Sequence, residues 1–141
     1  MIWAIARKTG GFTIHFDDPQ KHHRDELRGA KVWRLDREPD LINGETIDYE
    51  TGSVTFSLDG IRGPLVAEIK AEAARRIEAF APLWRQMNDL TQPDAPGAAE
   101  RRRKINVLRD WSNDLESQLD LAISAEDVKT TRIAIAESNS D

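Results

Sequence analysis

Cysteine is absent from the 141-residue chain. Disulfides, thiolate metal sites and cysteine nucleophiles are thereby excluded, and the absence fits a reducing compartment. Long apolar runs are missing too. No stretch approaches the roughly 18 residues needed to cross a bilayer, so no membrane partner is expected. The opening MIWAIARKTG lacks the positive n-region and long apolar core of a signal peptide, and none is expected there. Basic excess is lacking as well. Lys and Arg number 20 against 25 Asp and Glu, a formal charge of -5. An acidic chain does not by itself attract phosphate backbones, so nucleic acid is not an expected partner. No G-x-x-x-x-G-K or G-x-G-x-x-G cradles a phosphate, and no G-x-S-x-G presents a nucleophile. Asp59-Gly60-Ile61-Arg62-Gly63 reads as a plain turn. The chain is therefore expected not to be an enzyme, with no catalytic residue, no metal and no cofactor assigned.

What is present changes period near residue 60. Ile2-Trp3-Ala4-Ile5-Ala6 and Phe12-Thr13-Ile14-His15-Phe16 flank Gly10-Gly11, which predicts a hairpin. Lys31-Val32-Trp33-Arg34-Leu35 reads as a further strand, with a short helix around 22–27 before it. Residues 45–50 and 53–58 alternate strictly around Thr51-Gly52, the pattern of a tight hairpin. From Pro64 the spacing turns helical. Leu65, Ile69, Ala73, Ile77, Phe80, Trp84 and Met87 form one stripe at steps of three and four. Pro82 lies inside it and predicts a kink or two abutting helices. Residues 91–97 hold two prolines and a glycine and read as a loop. A second helix is expected over 98–123, striped by Ile105, Leu108, Trp111 or Ser112, Leu115, Leu119 and Ala122.

The fold class read from this pattern is α+β: a small antiparallel N-terminal β unit followed by a long antiparallel helical hairpin. The units are residues 1–60, a small β domain; 61–124, the hairpin; and 125–141, a flexible or short-strand tail. Each hairpin helix would span about 26 residues, or roughly 40 Å. Hydrophobic residues at 39% and charged ones at 32% suit an elongated shape with much solvated surface.

Two polar clusters compete for chemistry. His15, Asp17, Asp18, His22, His23, Asp25 and Glu26 hold the residue types of a divalent-metal or acid–base site. Their spacing matches no metal signature, and a solvated loop accounts for them better. A small metal-dependent enzyme on His15, His22 and His23 is the rival reading. Arg101-Arg102-Arg103-Lys104 wraps round a helix start, where positive charge opposes the helix dipole. That points to an acidic partner, or to pairing with acids of the neighbouring helix. Two helices cannot bury both stripes completely, which leaves Phe80, Trp84, Met87, Trp111, Leu115 and Leu119 as the candidate partner-binding residues.

The segment Ile77 to Asn88, with Pro82, Trp84, Gln86 and Asn88, and the segment Arg103 to Glu116, with Ile105, Leu108, Arg109, Ser112 and Asn113, carry a further signal. Together they resemble the C-terminal helical hairpin of small tail-associated proteins of tailed bacteriophages and prophages. Those proteins combine a Pro-x-Trp-x-Gln-x-Asn pattern on one helix with Ile-x-x-Ile-Arg-x-x-Ser-Asn on the next. The match covers the hairpin only, about 50 residues. The resemblance implies a non-enzymatic tail component that mediates tail or tail-fibre assembly by protein–protein packing. Its partners would be other phage tail or tail-fibre proteins and further copies of itself. Its place would be the virion tail, assembled in the bacterial host cytoplasm. A transient tail-fibre assembly chaperone is the alternative within the same family.

Overall fold

The computed structural model describes residues 1–22 and 27–137 of the chain. It is an α+β protein. β1 (Ile2–Arg7), β2 (Phe12–His15) and β3 (Ala30–Leu35) form an antiparallel sheet in the order β2-β1-β3. Gly10 and Gly11 turn the first hairpin with φ of 93° and 85°, which residues with a Cβ rarely adopt. Ala4 stands opposite Ile14 on one side and Trp33 on the other. The period of two then places Ile2, Ala4, Phe12, Ile14, Trp33 and Leu35 on one face, where they pack with Ile47. A four-residue helix, α1 (Pro19–His22), meets the helix expected near 22–27 only at residue 22, and residues 23–26 lie outside the described residues.

The second hairpin is shorter than its alternation suggests. Its strands are β4 (Glu45–Ile47) and β5 (Val54–Phe56). Asp48 ends the first of them. Its carboxylate accepts the N–H groups of Glu50 and Thr51 at 2.8 and 2.9 Å, and these bonds hold its pKa below the ordinary value. Its carbonyl accepts the N–H of Gly52, whose φ is +71°. Beyond the bond from the Asp48 N–H to the Ser53 carbonyl at 2.9 Å, a local side-chain turn thus takes the place of further strand pairing. Ile47 pairs with Val54 and Glu45 with Phe56, so all four share one face of the hairpin. The Trp33 indole donates to the Tyr49 carbonyl at 3.3 Å, which ties this turn to β3. A turn of 3-10 helix at Leu41–Asn43 precedes β4, and Arg37 grips the Glu45 carboxylate there with two bonds of 2.6 Å.

The remaining elements are helical. α2 (Arg62–Phe80) holds Pro64 in its first turn, where the missing N–H costs nothing. It ends where Ala81, pushed out of the helical region by the following proline, takes φ -137° and ψ 76°. α3 (Leu83–Thr91) restarts after Pro82. α4 (Ala98–Asp120) follows Gly97, which has φ 83°. Arg62 bonds Asp120 at 2.6 Å, Lys70 approaches Glu116 at 3.7 Å, Arg76 stacks on Trp111 and Lys104 lies over Phe80. As the α2 numbers rise the α4 numbers fall, so α2 and α4 are an antiparallel hairpin. Its arms are not two helices of about 26 residues: α2 has 19 and α4 has 23, because the proline break splits the first arm.

Residues 125–137, expected as part of a flexible or short-strand tail, instead form α5 (Ala125–Glu137). Val128, Thr131 and Ile135 are its buried residues, at steps of three and four. The β-branched Ile133 and Ile135 suggest a strand, but burial of one helical face overrides that weak preference. Contacts divide the chain into two compact units: residues 1–57 with 123–126, and residues 58–122 with the rest of α5.

Candidate functional site

α3 is built inside out. On a nine-residue helix with 100° between neighbours, Arg85, Gln86 and Asp89 share one side, and Leu83, Trp84, Met87 and Leu90 share the other. The polar side faces the protein and the apolar side faces out. Asp89 is only 6% exposed, while Leu83, Trp84, Met87 and Leu90 are 64%, 57%, 58% and 79% exposed.

Asp89 and Gln86 of the inward polar side are both engaged. Arg101 of α4 grips Asp89 with two charge-assisted bonds of 2.6 and 2.7 Å, and this pairing holds the Asp89 carboxyl below its ordinary pKa. The Gln86 amide donates to the Ala81 carbonyl at 2.7 Å. That carbonyl belongs to the helix break, where the i+4 donor is lost to irregular geometry. The Pro82 and Gln86 positions of the tail-protein pattern therefore have a structural purpose. Proline interrupts the arm, and glutamine satisfies a backbone group that the interruption exposes.

The six residues assigned to partner binding do not share one environment. Trp84 and Met87 are exposed on the outer side of α3. Phe80 and Trp111 are half-buried, each under a cation: Lys104 at 5.8 Å from the first ring centre and Arg76 at 4.4 Å from the second. Leu115 and Leu119 are buried within the chain. The stripe from Leu65 to Met87 is thus not continuous. It is buried through Leu65, Ile69 and Ala73, and it turns outward beyond Pro82 because the break resets the helical phase. A continuous stripe at steps of three and four leaves out Leu83 and Leu90. Restarting the helical wheel at Pro82 groups them with Trp84 and Met87.

The basic run is dispersed by the helix. Arg101 binds Asp89, the neighbouring-helix pairing that the dipole argument allows for. Arg102 donates to the Pro93 carbonyl at 3.2 Å, Arg103 pairs with Glu100 on its own helix, and Lys104 covers Phe80. Arg85 stacks on Trp84 at 4.6 Å.

The histidine cluster is only partly visible. His15 ends β2, its Nε2 hydrogen-bonded to the Thr13 hydroxyl at 3.0 Å. The side chain of His22, and all of His23, Asp25 and Glu26, lie outside the described residues. Among the described residues, no three His, Cys, Asp or Glu side chains gather as a metal-binding group. No helix among them is long and apolar enough to cross a membrane.

Compared with protein-family models, curated proteins and solved structures, the chain matches none.

Proposed function

We propose that the chain is a non-enzymatic component of a bacteriophage tail, and that it mediates tail or tail-fibre assembly by packing against other tail proteins. The observation that carries the docking part of this reading is the inverted helix α3. Four large apolar side chains face outward together on nine residues. Scattered exposed apolar residues are ordinary, but a contiguous group on one helix face marks a surface that another molecule covers. Trp and Met are also side chains that anchor interfaces well. The tail assignment itself is supported by the resemblance on Pro82, Trp84, Gln86 and Asn88 and on Ile105, Leu108, Arg109, Ser112 and Asn113.

The test is made in the phage or prophage that encodes the chain. Particles should carry it in a fixed copy number by quantitative mass spectrometry. The double substitution Trp84→Ser/Met87→Ser should remove it from them while the purified variant keeps its helical circular dichroism. Absence from wild-type particles whose formation still requires the chain would replace the structural role with the chaperone role. Particles that form and infect equally well without the chain would end the tail reading.

A further inference from the structure

One edge of α4 carries Arg102, Asn106, Arg109, Asn113, Glu116 and Asp120, at steps of four, three, four, three and four. Its two halves meet different surroundings. In the C-terminal half Glu116 and Asp120 face cations of α2, Lys70 at 3.7 Å and Arg62 at 2.6 Å. In the N-terminal half the edge opens on a hollow of about 350 Å³. Leu90 and Pro93 form its far wall, Ile105 lies between Arg102 and Arg109, and Gln86 and Asn106 contribute amides. Arg109 also borders a second hollow of about 310 Å³, against Ala73, Ala74 and Ile77 of α2.

This groove has more donors than acceptors. Arg102 spends one N–H on the Pro93 carbonyl. Arg109 and the Asn106 amide have no partner among the described residues. The carboxylate in the lining, Asp89, is already held by Arg101. The apolar part of the groove is continuous with the outward face of α3, because Leu90 belongs to both. An occupant must therefore bring negative charge to the α4 edge and apolar side chains to Leu90 and Met87, with the largely buried Ile105 as the floor between them.

We propose that the groove seats an α-helix of a partner protein whose apolar seam is bordered by carboxylates seven residues apart. The inference deepens the docking reading above and rests on it. Arg102 and Arg109 are seven residues apart on α4, two turns or about 10.5 Å. Acids at i and i+7 of a helix laid along the groove have the same spacing. The apolar side chains between them then fall against Leu90, above the floor that Ile105 forms. The arrangement continues, with another molecule, the charge matching that Lys70 and Arg62 supply to the other half of the same edge.

The probe is a pair of synthetic 21-residue amphipathic helices. Each has leucine at the two seam positions of every heptad. One has glutamate at the flanking positions and the other lysine. Each is dye-labelled and held below the concentration at which it self-associates. Binding to the full chain is read by fluorescence anisotropy. The chain carries a formal charge of -5, so non-specific attraction favours the lysine peptide. The proposal requires the opposite, a preference of about tenfold for the glutamate peptide that shrinks with added salt. It requires the preference to reverse in the Arg102→Glu/Arg109→Glu variant, whose altered side chains are exposed, with circular dichroism reporting the fold. Equal affinities, no binding of either peptide, or an unchanged preference in the variant overturns it. Loss of both peptides in Met87→Ser/Leu90→Ser, with no effect of the arginine changes, keeps the docking face and discards the acidic helix. Failure of the particle experiment with the charge reversal intact discards the tail and keeps the groove.

Discussion

Leu90 and Leu119 place the same side chain in opposite settings, and truncating each to alanine tests where α3 faces. Leu119 is 0% exposed and Leu90 is 79% exposed. Leu119→Ala removes buried methyl groups and leaves a cavity, which costs about 2–5 kcal/mol. Leu90 withdraws only about a fifth of its surface from water. Full burial of a leucine contributes about 1.5–3 kcal/mol, so Leu90→Ala should cost no more than about 0.3–0.6 kcal/mol. The better helix propensity of alanine offsets part of that. Urea unfolding followed by circular dichroism at 222 nm separates the two. With an m value near about 1.5 kcal/mol/M, the Leu119→Ala midpoint falls by roughly 1 M or more, while that of Leu90→Ala stays within about 0.4 M of the parent. Comparable losses at the two positions would mean that the apolar side of α3 is turned into the chain's own core. The docking face, and the functional reading built on it, would then be wrong.

The other two predictions concern the ion pair under α3 and the second β-hairpin. Arg101 lowers the Asp89 pKa from its ordinary 3.8, so the pair stabilises the fold above that value and loses its effect as pH falls through the folded-state pKa. Asp89→Asn should therefore be less stable than the parent in urea at pH 6, with the gap closing below about pH 4, the ordinary aspartate range. A gap that stays constant with pH would remove the charge from the explanation. Gly52 has φ +71°, and a Cβ there would run into the Trp33 ring. Gly52→Ala should cost at least about 1 kcal/mol from the backbone alone, and it should perturb the near-ultraviolet signal of Trp33. A neutral substitution would show that the turn does not sit on that ring.

Much of the architecture was legible from local pattern. Alternation at 12–16 and 45–58 marks strands because a half-buried strand has period two. The proline at 82 marks the break because it lacks an N–H and restricts its neighbour, and both effects are local. Two features escape local pattern for the same reason. Steps of three and four carry the stripe through Trp84 and Met87, but a helix keeps its phase only while it is unbroken. Residues 125–137, with their β-branched side chains, read as a flexible or short-strand tail, and only burial of Val128, Thr131 and Ile135 shows the helix.

The candidate site was legible in its residues but not in its orientation. Trp84 and Met87 were singled out together with Leu115 and Leu119, and no periodicity separates the two pairs, because all four are apolar residues at helical spacing. What separates them is the partner of Asp89. The side of α3 that turns inward is the one whose carboxylate finds a guanidinium twelve residues further on, at 2.6 Å. Sequence by itself determined the α+β order of elements, the break at Pro82 and the chemical make-up of each helix face. Only the tertiary structure decided that the polar face of α3 is the buried one, because a polar side chain is buried only where a specific partner satisfies it. Which partner that is depends on how α3 and α4 come together, not on the spacing within either helix.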